Sequence, residues 1–272
     1  MLPFTYDKSV FNIDCGNATD LEFFREICSV VLLLFALDIS ENEGCEWTLP
    51  ELHSYLIDGV TVGGHTIKDE DIVRNVKKCW ENIQPEDIYS WDSYDYFVTI
   101  NSVCSLHSSL MKGILVEKIL GNFRSGDVTI SGTSKWRCLN ALELRNTFLS
   151  ESEEIKQIPN VLEKAIITQL WLSYRQFFED GNKRVARMAT NSILFHKMTG
   201  VFAVPARGHA RFTKLLCEFY DTSDATELCK FIVDYCLYTF DKQGSLVRPK
   251  PYVPEDEIHK SSLKFMNLDI GG

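Results

Sequence analysis

Two long stretches with helical apolar periodicity, residues 159–178 and 183–198, are separated by only Glu179-Asp180-Gly181-Asn182. A helix ends there, a Gly-Asn turn follows, and a second helix begins. The first amides of that second helix have no partner inside it, and they carry the positive end of its dipole. A concave set of donors of this kind favours an anion. Arg184 and Arg187 are three residues apart, so both guanidinium groups leave one face of the new helix. The planar arginine fork suits phosphate oxygens, and Asp180, just before the turn, is placed to bind a Mg2+ that bridges phosphates. These residues alone leave two readings standing: a di- or triphosphate site, or two arginines paired with surface carboxylates.

The rest of the chain supports a mainly α fold. A helix capped by Thr19 or Asp20 runs to about Leu37, and its apolar run, 27–37, is too short to span a bilayer. Thr48-Leu49-Pro50-Glu51 has capping-box spacing, so a short helix starts at Leu49 and stops near Asp58-Gly59. Residues 68–83 begin with three acids and carry lysines late, as the helix dipole favours. Helices are also expected over 94–115, 139–149, 210–220 and 225–240. Residues 122–132, with Val128, Ile130 and flanking glycines, suggest a short hairpin. Beyond Asp241, Pro249, Pro251 and Pro254 predict an extended or loosely attached tail. The net charge of −10 argues against non-specific binding to nucleic acid or an anionic membrane surface. Nine cysteines without C-x-x-C spacing read as reduced, buried thiols, and the expected location is cytoplasmic.

Residues 176–187, read Gln-Phe-Phe-Glu-Asp-Gly-Asn-Lys-Arg-Val-Ala-Arg, resemble the Fic (Fido) family signature His-x-Phe-x-Asp/Glu-Gly-Asn-Gly/Lys-Arg-x-x-Arg. Phe178, Asp180, Gly181, Asn182, Lys183, Arg184 and Arg187 match in register. The resemblance implies a Fic-type helical bundle with a small β-hairpin flap. It implies ATP and Mg2+ as ligands and transfer of AMP from ATP to a protein hydroxyl. It gives Phe178 to the core, Asp180 to the metal, Gly181 and Asn182 to the inner phosphates, with Lys183 an accepted alternative beside them. Arg184 and Arg187 would hold the outer phosphates.

Residues 121–133 look like the family's flap, with Val128, Thr129, Ile130, Ser131 and Gly132 docking a target segment by backbone pairing. Ser54-Tyr55-Leu56-Ile57-Asp58-Gly59 resembles the family's inhibitory helix, with Ser54, Asp58 and Gly59 at the motif positions and Asp58 expected on Arg187. The similarity covers roughly residues 45–240. It divides the chain into a helical extension (1–45), a Fic-like domain (46–240; inhibitory helix 49–59, flap 121–133, signature 176–187) and an extended tail (241–272).

The departure lies at the first signature position. The family has histidine there, to take the proton from the attacking hydroxyl, and this chain has Gln176. An amide oxygen accepts a hydrogen bond but holds no proton near neutral pH. Losing a general base typically costs ~10²–10⁴ in rate. His53, His196 and His209 are the candidate substitutes; His196 falls on the opposite face of its helix from Arg187. The Gln-Phe-Phe form resembles a variant branch of the family, as do Val204-Pro205-Ala206 and Phe219-Tyr220-Asp221. The expectation is an auto-inhibited nucleotide-binding protein whose AMP transfer is weakened or altered. The alternatives are an inactive nucleotide-binding or interaction protein, and transfer of another phosphate-containing group. The sequence does not name a protein target or an oligomeric state.

Overall fold

The computed structural model describes residues 1–85 and 98–253. Its centre is the helical hairpin expected from the sequence: α6 (Val161–Arg175) and α7 (Asn182–His196) pack side by side. All but one residue of α7 is buried, so this helix has no solvent face on which to place its polar side chains. They are satisfied internally, as buried polar groups must be. Thr190 Oγ1 donates to Ala186 O (2.9 Å) and lies 3.1 Å from Gln169 Oε1 on α6. The Asn191 amide brackets Phe202, donating to its carbonyl at 3.1 Å and accepting from its N–H at 2.8 Å. That pair fastens α7 to β1 (Gly200–Phe202).

Around the hairpin lie α1 (Leu21–Asn42), α2 (Leu49–Leu56), α3 (Ile67–Asn82), α4 (Ile100–Leu110), α5 (Leu144–Lys156), α8 (His209–Thr222) and α9 (Thr226–Tyr235). Asp20 caps α1 through Phe23 N at 2.9 Å. The apolar run of α1 is core: Phe24 meets Phe195 edge-on, and Phe35 packs on Trp80, whose indole N–H donates to Cys28 O. Among the described residues no helix is long and apolar enough to cross a membrane. The Thr48/Glu51 capping box forms as expected, and Gly59, just past α2, has φ +70°. α3 carries a second capping box, Thr66/Asp69. The expected helix 94–115 is represented by α4; its first residues, 94–97, lie outside the described residues, and it stops at Leu110 with Met111 as C-cap.

One expectation about the C-terminal region is corrected. The helix expected over 225–240 ends at Tyr235, and the chain continues as β2 (Leu237–Phe240). Tyr238, Thr239 and Phe240 are aromatic or β-branched, and β1 offers the strand a partner, with Gly200 opposite Thr239. A Cβ on Gly200 would sit 2.5 Å from Tyr238 O, so close strand approach requires glycine there. With β3 (Leu246–Val247), these strands form a small antiparallel sheet, β1-β2-β3. Of the expected tail, residues 241–253 are described, and they are attached. The segment turns back as β3, Lys250 pairs with Asp234 at 2.6 Å, and Tyr252 packs on Phe231 and Tyr235. The proline pattern signalled an end to helix but not the aromatic contacts that hold the strand down.

Residues 121–133 hold no strand, contrary to the expected hairpin. Arg124 fixes one end: its buried guanidinium donates to the carbonyls of Gln176 (2.7 Å), Gly126 (2.7 Å) and Leu139 (2.6 Å). Asp221 of α8 fixes the other, accepting from the backbone N–H groups of Ser134, Lys135 and Trp136 and from the Ser134 hydroxyl. Those donors hold the Asp221 carboxyl well below its usual range. Side chains anchored the loop where the sequence suggested a ladder.

Candidate anion-binding site

The turn between α6 and α7 is built largely by its own side chains. α6 ends on Gln176 in the left-handed region (φ 49°, ψ 62°), an uncommon place for a residue other than glycine. The Gln176 carboxamide folds back and donates to Ser173 O at 2.6 Å. Phe177 and Phe178 then enter the core, where Phe177 packs against Phe123, Phe148 and Trp171. Asn182 closes the loop across Phe178: its Oδ1 accepts from Phe178 N (2.9 Å) and its Nδ2 donates to Phe178 O (2.7 Å). The Asn182 side chain therefore shapes the turn, and only its backbone N–H remains for a ligand. Asp180 Oδ1 accepts from Gly181 N at 2.6 Å. Gly181 has φ +79°, where another residue would be strained, and a Cβ there would meet Met111 Sδ at 2.5 Å, so the methionine side chain would have to shift.

His107 on α4 supports this turn from below. Its Nδ1 accepts from Gly121 N (2.9 Å), which leaves the Nε2–H to donate to Asp180 O (3.2 Å). The ring stacks on Phe178 with centroids 4.0 Å apart. Burial pushes its pKa down to about 4, so the ring is neutral and both nitrogens are committed. It ties the base of the 121–133 loop to the turn.

α7 begins at Asn182 with Gly181 as N-cap. No described residue accepts a hydrogen bond from the backbone N–H groups of Asn182, Lys183 or Arg184. Burial and the neighbouring Arg187 charge lower the Lys183 pKa. Both arginines are buried and both are held by carboxylates at the C-terminal end of α1, Asp38 within the helix and Glu43 as its C-cap. Arg184 Nε lies 3.0 Å from Glu43 Oε1, its Nη2 lies 3.1 Å from Glu43 Oε2, and its Nη1 is buried without a partner among the described residues. Arg187 pairs through Nη1 with Asp38, itself 1% exposed, and lies over the Phe212 ring. The other Asp38 oxygen is 3.2 Å from His209 Nδ1, and Glu41 Oε2 is 3.6 Å from the same nitrogen.

Asp180, Gly181, Asn182, Lys183, Arg184 and Arg187 thus converge at one helix start, with Gln176 at the far end of the turn. The Ser54-Asp58-Gly59 group does not join them. Asp58 is half exposed and pairs with His53 at the end of α2 (3.1 Å), while the carboxylate on Arg187 is Asp38. Geometry decides this: α1, not the end of α2, brings its carboxylates to the start of α7. Asp38, Glu41, Glu43, His107 and Arg124 were not singled out from the sequence. Asp38 did leave a signal, because Val31, Phe35 and Asp38 form one helical stripe (i, i+4, i+7) and all three are buried. A carboxylate in a core stripe requires a buried cation. Of the histidines weighed as substitute bases, His209 reaches the arginine cluster, His53 serves α2, and His196 stands at the far end of α7.

The residues suit a polyphosphate better than a resident metal. The amides at the start of α7 and the buried Arg184 Nη1 lack acceptors among the described residues, and the two guanidinium groups beside them are met only by carboxylates. Asp180 is a single, largely exposed carboxylate, and among the described residues no three His, Cys, Asp or Glu side chains gather as a metal site. It fits a Mg2+ that arrives with phosphates.

Residues 97–194 match the Fic/DOC family. That span holds the turn, all of α7 except its last two residues, and the 121–133 loop. Solved Fic proteins have the same fold. A Fic family protein from Desulfovibrio desulfuricans G20 superposes with TM-score 0.62 at 17% identity, over 86% of this chain and 73% of that one. Fic-1 (aa134–508) from C. elegans gives 0.62 at 16%, over 81% and 63%. A Fic domain-containing signaling protein from Bacteroides thetaiotaomicron VPI-5482 gives 0.59 at 19%, over 78% and 82%. This chain spans less than two thirds of the solved C. elegans chain. Comparison with curated proteins gives no match.

Proposed function

We propose that this chain is a Fic-type nucleotidyltransferase that binds ATP with Mg2+ and moves AMP to a protein hydroxyl, and that α1 holds it shut. The observation that carries the reading is the arginine pair. Arg184 and Arg187, beside the open amides of α7, are gathered on carboxylates of the same chain that stand where phosphate oxygens would. Asp38 and Glu43 take the inhibitory role that the sequence assigned to Asp58. When bound, ATP would supply the α–β phosphoanhydride that is broken as the hydroxyl oxygen bonds to the α-phosphorus, with pyrophosphate as the leaving group and the hydroxyl proton passing to solvent.

The roles of the chain's own residues follow from their chemistry. The Asn182–Arg184 amides and the two guanidinium groups bind and neutralise phosphate oxygens, a stabilisation that carries much of phosphoryl-type catalysis. Asp180 orients the ion that accompanies them. Residues 128–132, held between the Arg124 contacts to Gly126 and the Asp221 contacts to residues 134–136, receive the target segment. Gln176 can orient a hydroxyl but cannot take its proton.

A second reading is a nucleotide-binding protein without transfer activity. It is favoured by the Gln176 carboxamide, whose Nε2 is committed to Ser173 O and whose oxygen, the one group left to meet a ligand, cannot hold a proton. Labelled ATP incubated with the Glu43→Gln chain, with and without Gln176→His, separates the two. Protein labelling by Glu43→Gln alone supports the enzyme. Labelling only with the added histidine supports an intact site that lacks its base. No labelling and no nucleotide binding in either chain refutes both.

A further inference from the structure

His209 opens α8, a helix of 14 residues, and lies beside the arginine cluster without belonging to the matched signature. The Asp38 carboxylate is shared between two helices, one oxygen on Arg187 Nη1 of α7 and the other on His209 Nδ1 of α8. Two donors on separate rigid helices are therefore already spaced to grip the two oxygens of one small anion. A phosphoryl group presents oxygens of similar spacing. Its place in the site also follows from geometry. At ~1.5 Å per residue, Arg187 stands about 7 Å along α7 from the first free amide, at Asn182. An anion bridging Arg187 and His209 is thus the outermost member of a chain of phosphates that begins at the amides. His209 is partly exposed at this edge, so a ligand can reach it once α1's carboxylates move.

We propose that His209 binds the terminal phosphoryl group of a nucleoside triphosphate together with Arg187, in the position that Asp38 now fills. The inference rests on the polyphosphate reading above. It makes His209 a residue that distinguishes a triphosphate from a diphosphate, which does not extend to that subsite.

The test is calorimetric titration of ATP and ADP into the full chain carrying Asp38→Asn and Glu43→Gln, with Glu43→Gln alone as a second background in case the double substitution does not fold. Adding His209→Ala is expected to weaken ATP binding about tenfold, the scale of one hydrogen bond to a charged group, and ADP binding less than about twofold. His209→Gln, which keeps an N–H donor, is expected to recover part of the ATP affinity. Equal losses for ATP and ADP, or no loss for either in a chain that melts normally, overturn the proposal. If neither background binds either nucleotide, the polyphosphate reading itself fails, and this inference falls with it.

Discussion

Replacing Asp38 by asparagine keeps the shape of the side chain and removes its charge. The Arg187 guanidinium then stays buried without a counter-ion, since Asp38 is 1% exposed and the arginine 2%. Breaking a buried pair from one side costs about 3 kcal/mol at the lower end of the usual range, because the remaining charge is left uncompensated. For a chain of this size each kcal/mol moves the melting temperature by ~2–4 °C, so Asp38→Asn is expected to melt roughly 6–12 °C below the parent. The same vacancy should favour an anion. ATP at about a hundredfold above its Kd returns ~2.7 kcal/mol by mass action, which recovers most of the loss. The parent, whose carboxylates must first be displaced, should respond far less at the same concentration. Differential scanning fluorimetry of both chains, with and without ATP and Mg2+, reads all four numbers. Equal ATP shifts in parent and variant, or no destabilisation by the substitution, would show that Asp38 does not occupy an anion site.

Three other substitutions probe different links. Among the described residues, Glu43→Gln leaves the buried Arg184 guanidinium with only Asp180 Oδ2, 3.6 Å away, as a counter-ion, so it should cost up to about 3 kcal/mol while raising ATP affinity, measured by calorimetry. Gly181→Ala forces a Cβ into Met111 Sδ and a left-handed φ on a side chain; a loss of about 2–4 kcal/mol in urea unfolding is expected, and a neutral result would mean the turn is looser than described. His107 is held neutral with its pKa pushed down to about 4, so below its unfolded value of about 6.5 the unfolded chain binds the extra proton and the folded one does not. Its contribution is therefore full above pH 6.5 and falls away toward pH 4, by up to roughly 3 kcal/mol. His107→Gln should flatten that part of the stability–pH curve.

The local features of the fold were legible in the sequence because short-range chemistry sets them. The Thr48 and Asp20 caps, the Gly181 turn and the apolar run of α1 each follow from residues within a few positions of one another. The candidate site was legible only on the side that α7 provides. Its closure depends on Arg187 meeting Asp38 across 149 positions and Arg184 meeting Glu43 across 141, and nothing local in the chain encodes either meeting. Asp58 followed from the spacing of a motif, yet its side chain is used by His53 at the end of α2. The 121–133 segment failed as a hairpin for a related reason: Arg124 and Asp221 satisfy backbone groups near its ends that a ladder would otherwise have to satisfy. β2 shows the same limit, since its strand form depends on β1, which pairs with it from outside the local sequence.

A crystal structure of the Asp38→Asn/Glu43→Gln chain grown with ATP and Mg2+ addresses the site most directly. Phosphate density is expected against the backbone N–H groups of Asn182, Lys183 and Arg184, with both guanidinium groups turned from α1 onto it. A nucleotide bound elsewhere, or a start of α7 that stays closed over ordered arginines with no phosphate beside them, would contradict the account.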